Sequence, residues 1–226
     1  MLAARALSGG GELAYSVDGQ AKKSTSEPVV LNPDGAALAR GLHIRNDGDK
    51  PVWLQVTARG VPKDPQPAAT QGLTVERSYY TLDGQPADLA TLRQNDRVIV
   101  SLEGRNLEGG YHEAVLLDLL PAGLEIESVL NDDTIKSFPF LSAITPTRIA
   151  EARDDRFFAA FDLGKRPYRN WWAFGDDKPG YSFHVAYIAR AVTPGSFALP
   201  AAQVSDMYAP RFYGRTAMGR ITIAPR

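Results

Sequence analysis

Residues 180–192 read GYSFHVAYIARAV, residues 193–210 read TPGSFALPAAQVSDMYAP, and the chain closes over 215–226 with RTAMGRITIAPR. Phe183, Val185, Tyr187 and Ala189 fall on one face of an extended chain, and Ser182, His184 and Arg190 on the other. That is the period of a half-buried strand. Thr193-Pro194-Gly195 is a turn, because Pro sets φ and Gly accepts positive φ. Phe197 and Leu199 resume the alternation until Pro200 stops it, and Ile221 and Ile223 end the chain with one more short strand.

The same chemistry repeats upstream. Leu13, Tyr15 and Val17 alternate ahead of an Asp18-Gly19 hairpin signal. Val29 to Leu31, Leu42 with Ile44, and Val52, Leu54 and Val56 give further strands, separated by the turns Asn32-Pro33-Asp34-Gly35 and Asn46-Asp47-Gly48-Asp49. Val61 to Gly72, VPKDPQPAATQG, carries three prolines and little apolar content, and reads as a linker. Beyond it, Leu73 to Tyr80 and Val98, Val100 and Leu102 read as strands. Ala114 to Leu120 is nearly continuous apolar and reads as a central strand; Leu124 and Ile126 alternate with Glu125 and Glu127, and Phe157, Phe158 and Phe161 begin another strand. Thr147 to Asp155 is the one helix expected. Short strands with turn residues between them predict an all-β chain of two antiparallel β-sandwich modules, residues 1–72 and 73–226, with at most one or two short helices.

Composition sets the outer bounds. The 226 residues are 44% hydrophobic and 9% aromatic, enough for a real core, and 25 basic against 26 acidic residues leave a net charge of −1. Such balance favours neither nucleic acid nor an anionic membrane surface. The absence of cysteine excludes disulfides, Cys-based zinc sites, a cysteine nucleophile and an internal thioester within this stretch. No apolar run approaches the roughly 20 residues that span a bilayer. The opening MLAARALSGGG is too short in its apolar part and too soon interrupted by Arg5 to read as a signal peptide, with Met1 as the start of a piece left open.

Three separated motifs carry a family resemblance: ERSYYTLDGQPADLATLRQNDRVIVSLEG (76–104), LLDLLPAGLEIES (116–128) and ARAVTPGSFALPAAQVSDMYAPRFYGRTAMGRITI (189–223). In this order they resemble the C-terminal macroglobulin-like domain of bacterial alpha-2-macroglobulins, periplasmic protease traps. The resemblance covers Leu73 to Arg226; residues before about Gly72 are similar, more weakly, to the end of that family's CUB-like module. It implies a non-catalytic domain without cofactor, in a periplasmic protein whose parent is secreted, with lipid anchoring to the inner membrane an open alternative. It implies as partners the thioester domain and other domains of the same full-length chain, and target proteases through that chain, with cell-envelope proteins left open. Met207 and Tyr208 match the family's Met-Tyr pair that covers the thioester domain and keeps a reactive thioester dry. A CUB-like module cut by a large insertion would lack its earlier strands here, so Leu13, Leu42 and Leu54 are expected to be partly uncovered.

Other constellations are weaker. His43, His112 and His184 each sit in a strand pattern, with His184 on the polar face. Ser182, His184 and Asp176 could suggest a hydrolytic triad, but Ser182 and His184 two apart on a strand point the same way and cannot bond without a bend. The pairs Asp132-Asp133, Asp154-Asp155 and Asp176-Asp177 lack the spacing of a calcium loop and read as solvated turns. Glu125 and Glu127 read as the wet face of a strand. Trp171 and Trp172, flanked by Arg169, offer a stacking surface for a partner or sugar, or else pack beneath a sheet. This leaves a carbohydrate- or peptidoglycan-binding sandwich as the alternative function, with a hydrolase behind it.

Overall fold

A computed structural model describes residues 2–6, 13–24, 29–49, 51–57, 64–164 and 180–226. The chain divides into two compact units, residues 1–62 and 63–226. The first unit contains β1 (Leu2–Ala6), β2 (Leu13–Val17), β3 (Gln20–Ser24), β4 (Val29–Leu31), α1 (Gly35–Arg40), β5 (Ile44–Asn46) and β6 (Val52–Val56). They form two antiparallel three-stranded sheets, ordered β4-β1-β6 and β3-β2-β5. Leu13, Tyr15, Val29, Leu31, Ile44, Val52 and Leu54 line one apolar cavity in this unit. Leu13 is buried there, Leu42 is half-buried, and Leu54 is exposed, as are Trp53 and Val56.

Helix α1 begins inside the stretch expected to be a plain turn. The Asp34 side chain accepts the Ala37 N–H at 2.7 Å, which caps Gly35–Arg40, and Gly41 ends the helix at φ 84°.

The second unit contains β7 (Ala69–Gln71), β8 (Glu76–Tyr80), β9 (Leu92–Arg93), β10 (Arg97–Arg105), β11 (His112–Leu119), β12 (Leu124–Val129), a 3₁₀ turn at Thr134–Ser137, β13 (Ile149–Arg153), β14 (Arg156–Leu163), β15 (Ser182–Ala191), β16 (Gly195–Leu199), β17 (Ala202–Asp206), β18 (Tyr213–Arg215) and β19 (Gly219–Ala224). One sheet runs β12-β15-β10-β8 and another β13-β14-β11-β17-β18-β7; both are antiparallel. A third, β16-β19-β9, includes a two-residue parallel pairing of Ile223 and Ala224 with Leu92 and Arg93.

The core lies between the sheets. Val98, Val100, Leu102, Phe183, Val185, Tyr187 and Ala189 meet Ala114, Leu116, Phe157, Phe161, Leu163 and Val204 in one cluster, which Ile221, Ile223 and Leu92 of the third sheet join. Ring pairs bridge the layers: Phe157 and Tyr187 lie 5.1 Å apart, and Phe161 and Phe183 4.8 Å apart. Each fully buried aromatic ring contributes roughly 2–3 kcal/mol by its removal from water. The backbone of residue 104 passes so close to Thr74 that a Cβ there would lie 2.0 Å from the Thr74 carbonyl oxygen, so only glycine fits.

Three expectations are corrected. Thr147 to Asp155 is not a helix: Ile149–Arg153 pairs antiparallel with β14, its turn formed by Asp154 and Asp155. Ala, Glu and Arg favour helix, but so short a segment cannot sustain a nucleus against an available sheet edge. The Pro-rich stretch is not a free linker throughout, because Ala69–Gln71 pairs with β18, the Gln66 carbonyl accepts the Met218 N–H at 3.0 Å, and the Pro67 carbonyl accepts from Arg215 at 3.2 Å. Finally, β15 is buried on both faces. Its outer face, with Ile99 and Ala186, lies under Leu130, Ile135, Phe138, Leu141 and Ile144, which run along the outside of the sheet.

Candidate functional site

Strand β17 alternates cleanly: Ala202, Val204 and Asp206 face inward and are buried, while Gln203 and Ser205 face out. Asp206 thus ends the strand with a carboxylate in phase with its apolar residues. The chain then turns through Met207 and Tyr208, and the ring of Tyr208 is 77% exposed, with Met207 at 48%. The pair thus presents an amphipathic ring and an adaptable thioether side by side to solvent.

The backbone beneath these side chains is fixed at every step. The Met207 N–H donates to the Glu113 carbonyl at 2.8 Å, and the Asp206 N–H to the Phe212 carbonyl at 3.0 Å. Asp206 Oδ1 accepts the Tyr208 N–H at 2.8 Å and the Ala209 N–H at 2.7 Å, a side-chain turn of the kind aspartate makes two and three residues on. The Phe212 N–H closes on the Ala209 carbonyl at 2.9 Å across Pro210, whose fixed φ suits the second position of that turn. The second oxygen, Oδ2, takes a bond of 2.8 Å from His112 Nδ1. Because a carboxylate only accepts, Nδ1 carries the proton.

Burial alone would push the Asp206 carboxyl up; the Ala209 N–H, the His112 ring and the Tyr208 N–H more than offset it and hold the group below the usual carboxylate range. His112 Nε2 is buried with no protein partner, and the Phe212 ring stands edge-on to the imidazole at 5.0 Å. The Arg211 guanidinium covers the Phe212 ring at 4.8 Å. Gly72, at φ 75°, makes room for that ring: a Cβ there would lie 2.6 Å from Phe212 Cδ1.

His112 and His184 are therefore not surface groups, at 4% and 5% exposure; only His43, just before β5, is exposed. His184 Nδ1 donates to the Ser142 carbonyl at 2.9 Å, which leaves Nε2 to accept from Ser101 Oγ at 2.9 Å. The nearby serine is thus Ser101, on β10, and not Ser182. Ser101 is 2% exposed and presents no nucleophile; its bond ties β10 to β15, while the bonds of His184 to Ser142 and Thr145 fasten residues 142–145 to the sheet.

Deeper in the sandwich, Arg77 donates to Asp118 and, at 2.7 Å, to the Pro200 carbonyl, while Tyr187 donates to Asp118 at 2.8 Å. Burial would pull the Arg77 guanidinium down, but the adjoining Asp118 carboxylate outweighs it and keeps the group charged. Burial beside that carboxylate pushes the Tyr187 hydroxyl far up. These polar centres were missed in the sequence, although Asp118 and Asp206 each stand at an inward position of a period-two strand.

The remaining candidates are placed as follows. Trp171, Trp172, Arg169 and the pair Asp176-Asp177 lie outside the described residues. Asp133 pairs with Lys136 at 2.9 Å and Asp155 with Arg156 at 2.7 Å, both on the surface. Glu127 pairs with Arg97 at 2.6 Å. Among the described residues no three His, Asp or Glu groups converge as metal ligands.

Residues 72–211 match the family model for the MG10 domain of bacterial alpha-2-macroglobulin. The chain belongs to the bacterial alpha-2-macroglobulin family. An alpha-2-macroglobulin of Xylella fastidiosa is 32% identical over 201 residues, covering 84% of this chain and 11% of that protein. Among solved structures, a mutant of Salmonella alpha-2-macroglobulin with one tyrosine replaced by glycine superimposes with a TM-score of 0.74 at 30% identity, covering 98% of this chain and 14% of that one. Salmonella alpha-2-macroglobulin reacted with methylamine gives 0.71 at 29%, with coverage of 98% and 14%. The chain thus spans about a tenth of the length of the curated relatives it matches.

Proposed function

We propose that residues 73–226 form the terminal, non-catalytic latch of a bacterial alpha-2-macroglobulin-like protease trap, with Met207 and Tyr208 closing over a thioester held elsewhere in the full-length chain. Residues 1–62 are then the end of the CUB-like module, with residues 63–72 joined to the latch domain through the pairing of Ala69–Gln71 with β18, and the whole works in the periplasm on proteases that cut a bait segment. The observation that carries the reading is Tyr208 itself: a 77% exposed ring on a backbone with no slack. A thioester survives only while water and amines are kept away, and a flat, rigid ring excludes both.

Covering the Tyr208 ring on docking contributes roughly 1.5–3 kcal/mol, and a closed-to-open equilibrium changes about tenfold per 1.4 kcal/mol. Tyr208→Gly in the full-length thioester-bearing protein is expected to leave the domain folded, because the turn is held by Asp206 and not by the ring, yet to speed thioester loss to methylamine roughly ten- to hundredfold. Release of free thiol over time, before any protease is added, measures it. Equal rates in wild type and variant would remove Tyr208 from the role.

A further inference from the structure

The Tyr208 ring can act as a cover only if its backbone is presented in one conformation; main-chain bonds at Asp206, Met207 and Phe212 frame the loop, and the amides of Tyr208 and Ala209 are held by a single side chain. Asp206 Oδ1 holds the Tyr208 and Ala209 N–H groups at 2.8 and 2.7 Å, while Oδ2 is held by His112 at 2.8 Å. One carboxylate therefore meets three donors. His112 reaches it across strands: Ala114 is the register partner of Asp206, and His112, two residues along β11 on the same inward face, is its diagonal neighbour. The imidazole is itself immobilised by the Phe212 ring against it, and Phe212 by Gly72 and Arg211.

We infer that His112 and Asp206 are the positioning residues of the Met207-Tyr208 tip, an imidazole-carboxylate pair that fixes the rotation of the carboxylate and so the path of the loop backbone. This rests on the reading of Tyr208 as the covering ring. Asp206 and His112 touch no substrate and act only through the loop. A carboxylate free to rotate loses conformational freedom each time it holds the two amides, whereas one whose far oxygen is fixed by a buried ring has lost that freedom in advance. His112 Nε2, buried without a protein partner, fits the same account: the ring is retained for the bond at Nδ1.

Two measurements test it. On this chain, amide hydrogen exchange at Tyr208 and Ala209 is expected to quicken at least tenfold in Asp206→Ala and several-fold in His112→Ala, with the amides of β17 and β11 as slow as before. His112→Gln, whose amide can donate to the same oxygen, is expected to restore most of the protection. In the full-length protein Asp206→Ala is expected to raise the methylamine rate to within a few-fold of Tyr208→Gly, with His112→Gln close to wild type. Tyr208→Gly fast while Asp206→Ala and His112→Ala keep the wild-type rate would overturn this inference and leave the Tyr208 assignment standing; Tyr208→Gly at the wild-type rate would overturn both. Should Asp206→Ala not fold, the His112→Ala and His112→Gln pair decides alone: equal exchange at Tyr208 in the two refutes the positioning role.

Discussion

Strands β11 and β17 carry one inward carboxylate at each end of their pairing, and the two ends have opposite uses. Asp118 stands opposite Ala202, and Asp206 opposite Ala114. The two sites are four residues apart along β11, about 13 Å at 3.3 Å per residue. At the Asp118 end the partners are a guanidinium and a phenol from the facing sheet, Arg77 on β8 and Tyr187 on β15, so the carboxylate ties layer to layer and is fully buried. At the Asp206 end the partners are two loop amides and a ring of the same sheet, so the carboxylate ties a loop to its own strand. One set of donors spans the core and the other shapes the surface. The same residue type at equivalent inward positions ties sheet to sheet or loop to strand according to what donates to it.

The sharpest way to break this contrast is at the closed end. Arg77→Met removes the only positive charge facing Asp118 among the described bonds and strands a buried carboxylate, which is expected to cost about 3–5 kcal/mol in denaturant unfolding of this chain. Arg77→Met combined with Asp118→Leu, which removes both charges, is expected to recover most of that loss. If the single variant costs under about 1 kcal/mol, Asp118 does not hold the sheets together.

The contrast also explains what was legible in the sequence. The strands were readable wherever period two persisted: Phe183, Val185, Tyr187 and Ala189 do face the core, and Ile221 and Ile223 do close it. Both faces of β15 being buried was not, since the cover comes from Leu130, Ile135 and Phe138, some fifty residues earlier in the chain, with no strand period of their own. Ile149–Arg153 misled for the opposite reason, because its residues suit a helix and only the edge of β14 makes it a strand. The Met-Tyr-Ala-Pro stretch was legible as an irregular segment after a strand, stiffened by Pro210, and it is an exposed turn. The residues that aim it were not, because His112 and Asp206 are 94 positions apart and meet only through the β11–β17 register.

A milder test stays at the closed end. Tyr187→Phe keeps the ring against Phe157, 5.1 Å away, and removes only the hydroxyl that donates to Asp118. Loss of one hydrogen bond to a charged acceptor is expected to cost about 1.5–3 kcal/mol. The Tyr208 amide should exchange as in wild type. Faster exchange at Tyr208 in this variant would mean that the two ends are coupled through β11 and that their separation into core and surface roles is wrong.

The smallest effect is expected from acid at the open end. The folded pKa of Asp206 lies below its ordinary value, with burial opposing and the donors of Ala209, His112 and Tyr208 prevailing. A depressed carboxyl contributes stability that is fully present above its unfolded pKa, about 3.9, and is lost as pH falls through the folded value. Protonation replaces an acceptor that serves three donors by a weaker one, so loop protection at Tyr208 should decline with falling pH in that window. His112 faces the carboxylate from β11, while Glu113 beside it points to the other side of the sheet, where it pairs with Arg148 at 3.3 Å. Asp206→Asn keeps an oxygen for the two loop amides but has no proton to gain, so the acid-dependent part of the Tyr208 exchange profile should flatten while the profile of β17 is unchanged. If Asp206→Asn follows the wild-type pH dependence below about pH 4, the acid response belongs to another group, and the loop owes its order to the neutral turn at Ala209 and Phe212 rather than to the charge on Asp206.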